Sequence, residues 1–312
     1  MRVRPPSSGN PHVDAHTWVC VMAGGEGRRL EEVARARYGY ARPKQYCDFG
    51  AGRTLLDETL DRARLLVPDE RIVVVTTRAH RVFADECLLS HPRVHWVEQP
   101  SNRDTTPGIL LPLLYVLDQD PIARVVVMPS DHSISQERAF AALVHDAIDS
   151  LGVLDSDVLV LGAPAAGVDD GYGWIVPQSR PRERWARVAS FREKPSKHER
   201  HALAARGALR NTLVLVGYAV EIAAMIAEHA PTWHDAMQGA FHTGTLESVY
   251  ETLPSANFSH DVLERCTDRL RVVPLGEVGW DDIGTPERLE RAYASEPDVA
   301  AGAAACPAPG GG

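Results

Sequence analysis

The sequence of 312 residues contains no apolar run long enough to cross a bilayer. Its opening stretch, MRVRPPSSGNPHVDAH, has no apolar core of signal-peptide type. Cysteine is scarce. Cys20, Cys47, Cys87, Cys266 and Cys306 are odd in number and form no C-x-x-C pair, which argues against a disulfide framework or a zinc ribbon. Thirteen histidines are present, but none has H-E-x-x-H or comparable ligand spacing, so zinc is not expected. The G-x-S-x-G elbow and catalytic-cysteine signatures are missing. Positive charge is also in deficit. Lys plus Arg number 33 against 42 for Asp plus Glu, a net charge of −9, which opposes nucleic-acid binding driven by phosphate attraction. These absences leave a soluble, cytoplasmic globular protein as the expectation, with neither a nucleic acid nor a membrane as partner.

The apolar fraction of 44% and the charged fraction of 24% are those of an ordinary globular chain. Such a length can bury a core without staples. Residues 1–16 and 296–312 are polar or low in complexity and are expected to be disordered tails around one domain, 17–295. Within it, short apolar runs alternate with helical patterns. Trp18–Met22, Arg71–Thr76, Val94–Val97, Val125–Met128 and Asp157–Leu161 read as strands. Thr54–Leu66, Thr106–Leu117 and Glu137–Ser150 read as helices, with Pro112 expected to kink the second. Tyr172–Val176, Val188–Arg192 and Leu213–Ala219 look like strands of a substrate-binding half. The pattern predicts an α/β fold with a mainly parallel sheet and helices on both faces.

Ligands of open α/β sheets bind beyond the carboxyl ends of the strands, so the loops after Met22 and Met128 matter most. After Met22 comes Ala23-Gly24-Gly25-Glu26-Gly27-Arg28-Arg29-Leu30. Its glycines let backbone N–H groups approach a phosphate, although the stretch also reads as an ordinary glycine turn. It is neither a P-loop nor the dinucleotide fingerprint, since Leu30 stands at the third glycine position. Pro43-Lys44-Gln45 places a point charge that suits the same phosphates or simply solvent. Pro129-Ser130-Asp131-His132 ends a strand with a carboxylate, which suits magnesium or a helix cap. Phe191-Arg192-Glu193-Lys194-Pro195 and Trp280-Asp281-Asp282-Ile283-Gly284 add further charges that would also serve as turns.

Together and in order, these segments resemble the sugar-1-phosphate nucleotidylyltransferases, and among them most the mannose-1-phosphate guanylyltransferases. The resemblance is carried by Gly24–Leu30 for G-G-x-G-x-R-L, Pro43–Gln45 for P-K-Q and Glu98–Pro107 for E-P-x-x-R-(N)-T-A-P. Pro129–His132 stands for P-S-D-H, Tyr172–Ile175 for Y-G-Y-I, Glu193–Pro195 for E-K-P and Trp280–Gly284 for W-x-D-x-G. The family's W-N-S-G has become Arg210-Asn211-Thr212-Leu213, which keeps only the Asn. The nucleotide half therefore matches better than the sugar half. The chain is expected to stop near the end of the catalytic domain, without a second isomerase domain.

The resemblance implies a Rossmann-like, mixed, mainly parallel sheet, the nucleotide-diphospho-sugar transferase fold. It implies transfer of a nucleotidyl group from a nucleoside triphosphate, GTP by resemblance, to a sugar 1-phosphate, with Mg²⁺ as cofactor. Arg29, Lys44, Asp131, Lys194 and Asp282 would be catalytic, with Asp131 and Asp282 holding the metal. Ala23, Gly24, Gly25, Gly27, Arg103, Thr105, Thr106 and Ser130 would bind the nucleotide. Tyr172, Gly173, Glu193, Lys194 and Asn211 would bind the sugar phosphate. Use of UTP or dTTP is the nearest alternative, and a non-catalytic nucleotide or sugar-phosphate sensor is the alternative from another class. A homo-oligomer is left open.

Overall fold

Strand β1 (Thr17–Met22) is apolar from Trp18 onward because both of its faces are covered. Successive side chains of a strand point to opposite sides. Trp18 and Cys20 enter one core, and Val19 and Val21 enter the other. The computed structural model describes residues 15–154, 157–165, 171–179 and 184–293. Of the two predicted tails, residues 15 and 16 are described and the rest lie outside the described residues.

After β1 the chain forms α1 (Glu31–Tyr38), α2 (Leu55–Arg64), β2 (Ile72–Thr77), α3 (Arg81–Ser90) and β3 (His95–Gln99). It continues through α4 (Thr105–Gln119), β4 (Arg124–Pro129), the short β5 (Ser133–Ile134), α5 (Glu137–Ser150) and β6 (Val158–Pro164). The second half holds β7 (Gly173–Pro177), β8 (Ala186–Glu193), α6 (Lys197–Ala205), β9 (Leu209–Tyr218), α7 (Ala219–His229) and α8 (Pro231–Thr243). It closes with α9 (Leu246–Thr252), β10 (Leu270–Pro274), β11 (Trp280–Asp281) and α10 (Pro286–Tyr293). No helix among the described residues is long and apolar enough to cross a membrane.

The described strands form a nine-stranded sheet in the order β3-β2-β1-β4-β9-β6-β10-β8-β7. Its first four strands are parallel neighbours. Strand β9 lies antiparallel between β4 and β6, so the mixed sheet changes character at that strand. One face packs on Ile109 and Leu113 of α4, Ile222 and Met225 of α7 and Met237 of α8. The other packs on Leu56 and Leu60 of α2 and Phe140 and Val144 of α5. Helix α2 begins where Thr54 and Asp57 form a reciprocal capping box, which satisfies two end N–H groups. Helix α4 runs unbroken through Pro112. Strand β9 begins at Leu209, four residues before the sequence pattern suggested, because its first residues pair with Pro164, Ala163 and Gly162 of β6.

Candidate active site

Strands β1 and β4 run side by side, with Met22 opposite Pro129. From β1 the sheet grows to β2 on one side, while β4 returns on the other. Their carboxyl ends therefore open at a topological switch point, where loops diverge and leave a crevice. The Ser130 hydroxyl and N–H both donate to the Met22 carbonyl, at 2.7 and 3.1 Å, and pin the two strand ends together.

The glycine loop leaves from Met22. Gly27 has φ of +63°, and a Cβ there would lie 2.8 Å from the Lys44 backbone nitrogen, so the loop needs glycine at this point. Nothing lies within 4 Å of a Cβ at Gly25, whose face opens to the cleft. The Gln45 amide donates to the carbonyls of Ala23 and Gly25, at 2.9 and 2.8 Å, and fixes the loop from below. Leu30 and Ala34 then pack with Cys47, Phe49, Leu55, Ile283 and Leu289. This small core ties the glycine loop to the chain that carries Asp282.

Two short strands bring the distant carboxylates together. Just beyond Asp131, β5 pairs antiparallel with β11, Ser133 facing Asp281 and Ile134 facing Trp280. Lys44 then spans both loops. Its ammonium lies 2.9 Å from Asp131 Oδ2 and donates to the Asp282 carbonyl at 2.8 Å. Asp282 Oδ1 accepts from Arg288 at 2.5 Å and from the Gly284 N–H at 3.2 Å. Arg288 also meets the Tyr172 hydroxyl. Burial acts to raise the Asp131 pKa, but Lys44 and His132 outweigh it and hold the carboxyl below its usual range. Burial likewise opposes ionisation of Asp282, yet the His132 ring, the Tyr172 hydroxyl and Arg288 bring its pKa down to about 2. Asp281 differs. Its Oδ1 accepts from the Ile283 N–H at 3.1 Å, and burial raises its pKa.

These loops enclose a cleft of about 890 Å³. Gly24, Gly25, Gly27, Arg29, Lys44, Thr105, Ser130, Asp131, Lys194 and Asp282 line it. A Cβ at Gly171 would lie 3.3 Å from the Arg29 guanidinium and one at Gly284 3.4 Å from it, so Arg29 reaches from the glycine loop to the Asp282 turn.

Seven expected site residues do not line this cleft. The Ala23 carbonyl is taken by Gln45. Arg103 is turned away, its Nε donating to the Tyr250 carbonyl at 2.7 Å. Thr106 is fully buried at the start of α4. Tyr172 packs against Trp280 and Arg288. Gly173 makes room for its neighbour across the sheet, since a Cβ there would lie 2.7 Å from Glu193 Oε2. Glu193 is half-buried, its Oε1 3.8 Å from the Lys194 ammonium and its backbone N–H donating to Glu264 at 2.7 Å, and burial raises its pKa. Asn211 sits behind the wall, donating to Ser259 Oγ at 3.3 Å and accepting from the Leu213 N–H at 3.1 Å.

Gln99, Asn102, Asp104, Gly108, His132 and Leu213 line the cleft without having been singled out as site residues. Asp104 carried a readable signal, an Asp immediately before Thr-Thr-Pro, and it does cap α4 by accepting from the Thr105 N–H at 2.6 Å. Among the described residues, the non-glycine positions with positive φ are Asp104, Lys194, Leu213 and Ile283, and all four line the cleft. Uncommon backbone geometry of this kind gathers at functional sites, where surrounding contacts enforce it.

A crevice at the carboxyl ends of parallel strands, with a glycine loop, two ionised carboxylates and a bridging lysine, defines a nucleotide-handling α/β enzyme. Residues 19–298 match the family model described as nucleotidyl transferase, and the chain belongs to that family. The mannose-1-phosphate guanylyltransferase of Escherichia coli (strain K12) is 29% identical over 286 residues, covering 85% of this chain and 57% of that protein. The alginate biosynthesis protein AlgA of Pseudomonas fluorescens is 26% identical over 279 residues, covering 85% of this chain and 56% of that protein. The chain thus spans about half the length of the curated relatives it matches. Among solved structures, one from Thermus thermophilus, described as a mannose-1-phosphate geranyltransferase, superimposes with a TM-score of 0.79 at 29% identity. The match covers 90% of this chain and 80% of that one.

Proposed function

We propose that the chain transfers a guanylyl group from GTP to mannose 1-phosphate, giving GDP-mannose and pyrophosphate. The observation that carries this reading is Lys44, which joins the Asp131 carboxylate to the Asp282 loop beside the glycine turn. The mannose-1-phosphate guanylyltransferases among the relatives supply the substrates. Both substrates are charged metabolites, which fits action in the cytoplasm.

The attacking group is a phosphate oxygen that is already anionic, so no strong general base is needed. A bond forms from this oxygen to the α-phosphorus of GTP, and the bond to the β-phosphate bridging oxygen breaks. Catalysis is then in-line positioning and neutralisation of charge. Gly25 opens the loop to the triphosphate, Arg29 and Lys44 face its charge, and Lys194 holds the sugar phosphate. The donor chemistry fits Mg²⁺, because Asp131 and Asp282 offer hard oxygens and both are held ionised. When bound, Mg²⁺ would offset the repulsion between the two anionic substrates. Among the described residues no group of three or more His, Cys, Asp or Glu gathers as a metal site, so further ligands would come from phosphate oxygens or water.

Pyrophosphate release tests this directly, with GTP, UTP, dTTP, ATP and CTP each offered with mannose 1-phosphate and glucose 1-phosphate. GTP with mannose 1-phosphate should be fastest. Faster turnover of UTP or dTTP overturns the choice of base, and no release with any pair overturns the activity.

A further inference from the structure

His132 follows Asp131 and lines the cleft, where its ring is held from the side away from that carboxylate. Its ring meets Trp280 edge-on, with centroids 5.3 Å apart and planes at 89°. The Trp280 indole N–H donates to His132 Nδ1 at 3.2 Å. An indole nitrogen only donates, so Nδ1 must accept and the ring carries its proton on Nε2. Nε2 stands 3.8 Å from Asp131 Oδ1, while Oδ2 of the same carboxylate is held by Lys44 at 2.9 Å. The carboxylate is thus flanked by an ammonium on one oxygen and by an imidazole N–H on the other. At 3.8 Å the second contact is a charge–dipole interaction rather than a direct hydrogen bond.

Trp280 is itself held from several sides. It pairs with Ile134 across the β5–β11 ladder, packs on the Tyr172 ring and lies under the Arg210 guanidinium at 5.3 Å. The indole is therefore a rigid donor, and its hydrogen bond selects one tautomer of a ring that would otherwise have two.

We propose that Trp280 and His132 are positioning residues for Asp131: the indole N–H fixes the imidazole proton on Nε2, and that N–H sets the orientation of the carboxylate toward the cleft. This rests on the nucleotidyl-transfer reading of the cleft. Groups that orient a ligand residue through its second side commonly matter at the level of about 10–100-fold in activity.

The test uses the full chain and two independent readouts. Nitrogen NMR of histidine-labelled protein, with the His132 signals assigned by their loss in His132→Gln, should show the Nε2-protonated tautomer in the wild type. Trp280→Phe should show a mixture of tautomers. In pyrophosphate release, Trp280→Phe and His132→Leu should lower kcat about 10-fold while KM for the triphosphate changes by less than about 2-fold. His132→Gln, whose amide N–H falls near the Nε2 position, should keep more of kcat than His132→Leu. An Nδ1-protonated wild-type ring overturns the proposal, as does a Gln variant no better than Leu. If His132→Leu does not fold, the tautomers of wild type and Trp280→Phe decide. A wild-type chain that releases no pyrophosphate overturns the functional reading instead, and the tautomer then decides the geometric proposal alone.

Discussion

On the β1–β4 side of the cleft, the lining residues fall in unbroken stretches, Gly24–Leu30, Lys44–Gln45 and Pro129–His132. On the β7–β9 side, Tyr172, Gly173, Glu193 and Asn211 do not line the cleft, while the scattered positions Gly171, Lys194 and Leu213 do. Phosphate recognition relies on main chain and local charge just past a strand end, so one short segment can supply it. The opposite wall is assembled from residues on several elements, and Tyr172 and Asn211 spend their side chains on Arg288 and Ser259.

The largest expected effect lies on the first side. Asp131→Asn and Asp282→Asn should each lower pyrophosphate release by about 10²–10³-fold, the scale of losing one preorganised charge contact. Because they serve one site, the double variant should be little worse than the poorer single one. Asp281→Asn should stay near wild type. Full additivity, or a larger loss at Asp281, would separate the two loops that the β5–β11 pairing joins.

Two glycines of one loop should behave differently. Gly27→Ala forces a side chain into φ of +63° and against Lys44, so unfolding measurements should show a loss of at least about 1–2 kcal/mol. Gly25→Ala meets no protein atom within 4 Å, so stability should hold within about 0.5 kcal/mol while KM for the triphosphate rises. Equal stability losses at both would show that the loop, rather than its ligand face, sets the need for glycine.

Across the cleft, Lys194→Ala should raise KM for the sugar phosphate by roughly 10-fold or more, in line with about 1.5–3 kcal/mol for a charge-assisted contact. Asn211→Ala should change that KM less and instead cost about 1 kcal/mol of stability through its lost internal hydrogen bonds. A KM effect at Asn211 exceeding that at Lys194 would reverse the assignment of which side chain faces substrate.

The last effect, without consequence near neutral pH, concerns acid stability. The Asp282 pKa is lowered to about 2 against burial, by His132, Tyr172 and Arg288. A lowered folded-state value stabilises the fold at pH above the unfolded value of about 4, and that contribution is lost as pH falls from there to about 2. Urea unfolding between those limits should show a shallower decline for Asp282→Asn. An unchanged slope would place the acid sensitivity elsewhere.

Much of the architecture was legible because its causes are local. β1, β2 and β4 carry continuous apolar runs because helices cover both faces, and the apolar periodicity of Thr54–Leu66 marked α2, whose start Thr54 caps. Gly27 was legible as part of a turn, since the positive φ of the loop after β1 selects glycine there. The burial of Asn211 and the tie from the Glu193 N–H to Glu264 were not legible, because the partners, Ser259 and Glu264, lie far along the chain. His132 was visible in its motif, but its link to Trp280 depends on a distant strand pairing.

The alternation of apolar and polar residues and the placing of glycines and charges after strand ends were decided by the order of amino acids, since sterics and burial act over a few neighbouring residues. Tertiary structure alone decided that β9 runs antiparallel between β4 and β6. It also decided that Lys44 bridges Asp131 to Asp282, and that four of the five expected sugar-phosphate residues do not line the cleft. Those outcomes depend on the register of strands and the packing of side chains distant in sequence, where one hydrogen-bond pairing sets which face of a residue meets the cleft.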